Sequence, residues 1–233
     1  MTTDEAAARL GVSTRRVRAL VEQGDLDADL VGGIYLVHPE SLARLAANSV
    51  SGRSLSARMS WAALLSDLGR TNFEWISEQL GLTRTDRHRV VALRDRQLED
   101  WSWLARRRAV TTRHTVRDAY LDRLVNDPHV VPSGLSALRA HRVELRPQRG
   151  EAELYVAAGD VDDVLSRHLA RTEPAGRVIV HTVDDTLFEQ ILTSTNGTMT
   201  VTTVGVDLAE SADIRTRRAG YTLLRHTAHA RAR

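Results

Sequence analysis

Cysteine is absent from the 233-residue chain, and so is lysine. Without cysteine there is no disulfide, no thiolate metal site and no cysteine nucleophile, and a reducing compartment poses no difficulty. Without lysine there is no phosphate loop of the Gly-x-x-x-x-Gly-Lys type, and neither a Gly-x-Ser-x-Gly elbow nor a His-Glu-x-x-His helix occurs. No apolar run approaches the ~18 residues of a membrane span. The first residues, Met1-Thr2-Thr3-Asp4-Glu5, are polar and acidic where a secretory leader would be basic and then apolar. The expectation is a soluble cytoplasmic protein, not membrane-bound, with no metal, no cofactor and no catalysis of its own.

What is present is a hydrophobic content of 42%, enough to fill real cores in a chain long enough for two compact units. The formal charge is only +2, yet it is segregated. Basic residues outnumber acidic ones from Arg84 to Arg117, acidic residues dominate from Glu151 to Asp213, and Arg215 to Arg233 contains no acidic residue. Such asymmetry can set a basic face against phosphate and leave an acidic face for another partner.

Residues 2 to 11 read as a short helix, capped by Thr2 or Thr3, with Glu5 at its positive end and Ala6, Ala7 and Leu10 as its apolar stripe; Gly11 ends it. A second helix opens at Ser13, an N-cap, carries Val17, Leu20 and Val21 on one face, and stops at Gly24. Two apolar runs, Leu26 to Val31 and Ile34 to Val37, flank Gly32-Gly33 and read as a hairpin, and Pro39 starts a third helix with Leu42 and Leu45.

Residues 48 to 54 are small and polar and read as a linker. From 55 to 126 the chain reads as helical, with Trp61, Leu64, Leu65 and Leu68 on one face, then Trp75, Ile76 and Leu80, then Val90, Val91 and Leu93, then Trp101 and Leu104. After a break at Asp127-Pro128, residues 127 to 233 alternate. Strands are expected at Glu153–Val156, Arg177–Val183 and Met199–Val206, and helices at about 161–170, 186–192 and 214–228. The expected class is α+β: an N-terminal winged helix-turn-helix over 1–47, a helical middle segment and a small C-terminal α/β domain.

The run Thr3 to Ser13, with Val17, Gly24, Leu26 and Pro39-Glu40-Ser41-Leu42, resembles the excisionase branch of the MerR-like winged helix-turn-helix family over the first fifth of the chain. The resemblance implies that the second helix enters the major groove, with Ser13, Thr14, Arg15, Arg16 and Arg18 as its exposed leading residues, and that the wing touches neighbouring DNA. The chemistry agrees, since arginine pairs bidentately with guanine and the leading residues of a recognition helix meet base edges. Here the wing offers Tyr35 as its polar contact, where arginines are usual in the family.

The remainder resembles actinobacterial antitoxin-like proteins of the AbiEi type. The carrying residues are Gly52 to Arg58 before Trp61, Asp127 to Gly134 with Ser136-Ala137, and Val206 to Ser211 with Arg215 and Arg218-Ala219-Gly220. It implies an autorepressor that binds double-stranded DNA and neutralises a nucleotidyltransferase-like toxin, with a homodimer as a further possibility. Three alternatives stand beside it: a ligand-responsive MerR-like regulator, a protein-interaction module that has lost DNA binding, and an enzyme whose only candidate residues are the aspartate pairs.

Other features carry a sharp and a plain reading. Arg106-Arg107-Arg108 is either a phosphate contact or a solvated helix face, and the plain reading is preferred. Trp101 and Trp103 read as core or interface rather than as stacking platforms. Asp160, Asp162 and Asp163, and Asp184-Asp185, read as helix caps rather than as ligands for a divalent ion. His226 and His229 lack a third metal ligand.

Overall fold

A computed structural model describes residues 1–23, 25–48, 55–66, 70–93, 101 and 105–231. The chain divides into two compact units, Met1–Leu55 and Ser56–Arg233. The architecture is α+β.

The first unit holds α1 (Thr3–Leu10), α2 (Thr14–Glu22), a hairpin of β1 (Ala28–Val31) and β2 (Ile34–Val37), and α3 (Pro39–Asn48). Its core is made by Ala6 and Ala7 from α1, Val17 and Leu20 from α2, Leu26, Val37 from β2, and Leu42 and Leu45 from α3. Burial of these side chains, at roughly 25 cal/mol per Å² of apolar surface, holds together helices too short to persist alone. Gly24 and residues 49–54, expected to stop a helix and to form the linker, lie outside the described residues, as do Gly52, Arg53, Ser54, Leu68, Trp103 and Leu104.

The second unit contains α4 (Ala57–Leu64), α5 (Arg70–Gln79), α6 (Arg84–Leu93), β3 (Val110–Thr115), α7 (Asp118–Val125), β4 (Val130–Pro132), β5 (Ala152–Ala157), α8 (Val161–Arg167), β6 (Arg171–Thr172), β7 (Val178–Val183), α9 (Asp185–Thr195), α10 (Val201–Ala209) and α11 (Ile214–Arg231). Its five-stranded sheet has the order β4-β5-β7-β3-β6. Only β5 and β7 run parallel, joined through α8; the other neighbours are antiparallel. β5 is buried along its whole length, as expected of a strand with a neighbour on each side and both faces covered.

Two expectations are corrected. The segment 55–126 is not helical throughout: Val110–Thr115 is a strand, with β7 on one side and β6 on the other. That pairing threads the segment into the sheet of residues 127–233, so the break at Asp127-Pro128 separates no domains. Residues 199–206, read as a strand, instead belong largely to α10. Thr200 caps this helix by accepting from the Thr203 amide at 3.1 Å, and every residue from Thr202 to Ala209 is buried. The helix penalty of β-branched residues is below about 0.7 kcal/mol each, less than burial returns, so packing overrides local preference.

Candidate nucleic-acid interface

The path from sequence to site is short in the first unit. Thr2 and Glu5 form a capping box: the Thr2 hydroxyl accepts from the Glu5 amide at 3.2 Å, and the Glu5 carboxylate accepts from the Thr2 amide at 2.9 Å. Gly11 takes the left-handed conformation, φ 65°, that lets α1 end and the chain turn at once. Ser13 then caps α2, its hydroxyl accepting from the Arg16 amide at 3.2 Å. Val17 and Leu20 are buried, which fixes the rotation of α2 and leaves Arg15, Arg16 and Arg18 exposed together with Ser13, while Thr14 is half-buried. Among the described residues, none of these three arginines has an ion-pair partner.

Arg15 and Arg16 also sit against the electrostatics of their own helix. The first turn of a helix is its positive end and favours anions by ~0.3–1 kcal/mol per charge, yet α2 has no acidic residue there. The arrangement is unfavourable for an isolated helix and favourable for a helix whose start approaches phosphate.

In the hairpin, Gly32 and Gly33 have φ of 57° and 80°, the pair of positive values that a two-residue turn of this hand requires. Its register pairs Val31 with Ile34 and Leu30 with Tyr35. Tyr35 is half-buried, whereas Leu30, Val31 and Ile34 are 64%, 56% and 59% exposed. The only charge on the two strands, Asp29, pairs with His38 at 3.0 Å.

Residues 1–49 match the family of helix-turn-helix domains. No curated protein and no solved structure matches the chain significantly. The chain therefore carries an N-terminal helix-turn-helix domain.

A different polar constellation lies inside the second unit. Arg108, on a short 3₁₀ turn, is buried. It donates two bonds to the Glu210 carboxylate at 2.8 Å each, two to Asp207 at 2.7 and 3.2 Å, and one to the Tyr155 hydroxyl at 2.7 Å. The Ser133 hydroxyl donates to Asp207, and Tyr155 does so at 2.9 Å. Tyr155 also stacks on His181 at 4.6 Å and meets the edge of Trp61 at 5.3 Å. His181 hydrogen-bonds Glu153 at 2.9 Å and Thr111 at 2.9 Å. Burial pushes the Tyr155 hydroxyl well above its usual range and raises the Glu153 carboxyl.

This corrects the plain reading of Arg106-Arg107-Arg108, whose last member is a core residue. Its partners Asp207 and Glu210 lie about a hundred residues away in the chain, and no local pattern announces them. Glu153, His181 and Asp207 are close enough to share an ion, with candidate ligand atoms within 4.8 Å of one another. The donor set does not fit one: both nitrogens of His181 are hydrogen-bonded, and Asp207 already receives a guanidinium, a hydroxyl and a phenol. A dication would also lie beside the fixed charge of Arg108.

Of the aspartates read as helix caps, Asp184 takes that role and Asp160 does not. Asp184 caps α9 by accepting from the Leu187 amide at 3.3 Å, and Asp185 accepts from the Gly159 amide at 2.7 Å. Asp160 makes no side-chain cap bond and instead meets His129 at 3.0 Å. Trp101 is buried and Trp75 is 41% exposed. Among the described residues no helix is long and apolar enough to cross a membrane.

Proposed function

We propose that this chain is a sequence-specific, double-stranded-DNA-binding transcriptional regulator that reads the major groove with the start of α2. The observation that carries the reading is the set of exposed arginines, Arg15, Arg16 and Arg18, with no ion-pair partner among the described residues, on a helix whose start is Ser13-capped and free of acidic residues. Arginine forks suit guanine edges and phosphates alike. The match of residues 1–49 to helix-turn-helix domains supports the same reading.

In its fuller form the proposal is a cytoplasmic antitoxin-like autorepressor. The second unit binds a protein partner, a nucleotidyltransferase-like toxin or a second copy of the chain, and performs no chemistry itself. What supports this is the order of the AbiEi-like blocks along the chain, together with the acidic run from Glu151 to Asp213.

The deciding experiment is a salt-titrated mobility shift on the DNA upstream of the gene and on a scrambled duplex, for wild type and Arg15→Ala/Arg16→Ala. Preference for the upstream DNA that the double variant loses supports the proposal. Equal affinity for both duplexes sinks sequence-specific reading by α2.

The apolar hairpin favours a second reading, in which the first unit grips a protein. Four of the exposed large hydrophobic side chains, Leu30, Val31, Ile34 and Leu36, lie on this one hairpin, and contiguous apolar surface marks interaction sites. Substituting Leu30 and Ile34 by serine separates the readings. Unchanged DNA binding with loss of a co-purifying partner supports the second; loss of DNA binding with no change in partners supports a DNA-contacting wing.

A further inference from the structure

We infer that the exposed face of α11 is a second nucleic-acid contact, which grips the phosphate backbone. The inference extends the DNA-binding reading to the second unit and takes from it the identity of the polyanion.

The helix is two-faced. Thr216, Gly220, Leu224 and Thr227 are buried and follow one another at steps of four, four and three, so they form one stripe. Gly220 shows how close that packing is: a Cβ there would stand 2.4 Å from the Ala209 amide nitrogen and 2.6 Å from the Gly205 carbonyl oxygen of α10. The rotation of α11 is thereby locked. At 100° per residue, Arg215, Arg218 and Arg225 point away from the buried stripe, with His226 at its flank, and all four are exposed.

The sign of this face is unmixed. No aspartate or glutamate occurs after Asp213. Asp213 precedes the helix and commits its carboxylate to the Thr216 amide and hydroxyl at 2.8 Å each, although it also lies near enough to feel Arg215. Glu210, the next acidic residue back, is held by Arg108. Ordinary solvated helices intersperse both signs, which supports intrahelical pairs; residues 214 to 231 include no acidic residue.

Spacing and chemistry point to phosphate. Arg215 to Arg225 spans about 15 Å at 1.5 Å per residue, a length over which one DNA strand presents about four phosphates at 3.4 Å of axis each. Guanidinium forks bind phosphate oxygens bidentately. The need is also physical, because a single small DNA-binding module buries only about 600–1,000 Å² against DNA.

The test uses the full chain in mobility shifts across a salt titration. Wild type, Arg15→Ala/Arg16→Ala, Arg215→Ala/Arg218→Ala/Arg225→Ala and the corresponding triple arginine-to-lysine variant are each run on upstream and scrambled duplexes. Each phosphate contact contributes about 0.9 to the slope of log K against log salt. The triple alanine variant is therefore expected to lower the slope by about two to three on both duplexes and to keep the preference for upstream DNA. The lysine variant keeps the slope, and unchanged melting temperatures exclude a folding defect. The α2 double variant loses the preference but still binds scrambled duplex at low salt. A slope that the alanine variant leaves unchanged overturns the inference, whether the face then proves idle or serves an acidic protein. If wild type shows no sequence preference, the reading by α2 fails while the slope on scrambled DNA still decides α11.

Discussion

The guanidinium of Arg108 and the carboxylate of Asp207 meet 2.7 Å apart inside the second unit, with 2% and 0% of their side chains exposed. Burial alone would drive the proton off Arg108, but Glu210, Tyr155 and Asp207 outweigh it and hold the guanidinium charged, well above its ordinary range. The pair ties the turn before β3 to α10, so it links the sheet to the closing helices. Removing one partner strands a buried charge, which typically costs 3–5 kcal/mol. Arg108→Ala is expected to destabilise the protein by about that much in urea denaturation. Combining Arg108→Met with Asp207→Leu should cost clearly less than the sum of the two single changes; an additive result would show that the pair is not coupled.

Acid should act on the second unit in two stages. Burial lowers the His114 pKa, so the folded ring resists protonation that the unfolded ring, at about 6.5, accepts. Its stabilising contribution is complete above pH ~6.5 and is lost as pH falls through the folded value. Asp127 follows lower down. Burial works to raise its carboxyl, but His168 at 2.8 Å, the His129 amide at 3.0 Å and Arg167 at 2.7 Å outweigh burial and hold it below the usual aspartate range. That contribution is present above pH ~3.9 and is lost as pH falls through the lower folded value. Urea midpoints taken from pH 7 to pH 3 should decline in both windows. His114→Gln should flatten only the upper decline and Asp127→Asn only the lower one.

The first unit was legible because its determinants are local. Thr2 with Glu5, Ser13 three residues before Arg16, and Gly32-Gly33 between apolar runs each specify backbone hydrogen bonds or dihedrals within a few residues, and each does so in the fold. The second unit hid its main features for the converse reason. Val110–Thr115 is a strand because β7 and β6 flank it, and Val201–Ala209 is a helix because it is buried on every side. Arg108 is indistinguishable from Arg106 and Arg107 until Asp207 arrives from a distance of 99 positions. The arginines of α2 stood out in the sequence; those of α11 stand out only once Gly220 fixes which face is inside.

Gly220 offers a change whose sign separates packing from propensity. In an open helix, glycine to alanine gains up to about 1 kcal/mol. Here the added methyl would meet backbone atoms of α10 at 2.4 and 2.6 Å, and backbone cannot swing aside as a flexible side chain does. Gly220→Ala is therefore expected to destabilise by about 1–3 kcal/mol, in the range of overpacked cores. Thr222→Ala, on the exposed side two residues along, should fall within ~0.5 kcal/mol of wild type. A stabilising Gly220→Ala would mean that α10 and α11 separate more readily than their packing implies.

The helix proposed to read DNA should be more stable without Arg15 and Arg16. Arg15 and Arg16 place two positive charges in the first turn of α2, where the aligned peptide dipoles already concentrate positive charge. Replacing both with alanine removes that repulsion, ~0.3–1 kcal/mol per charge at low ionic strength, and adds a strong helix former at each position. Ser13→Ala should do the reverse, since it deletes the acceptor for the Arg16 amide at a cost of about 1 kcal/mol. Thermal melts at low salt are expected to place the double variant above wild type and Ser13→Ala below it. Raising the salt should shrink the first difference, because the charges are exposed and screened, and leave most of the second, because a cap is a hydrogen bond. A double variant that melts below wild type would show that Arg15 or Arg16 makes a stabilising contact within the fold, and its loss of DNA binding would then no longer report on reading alone.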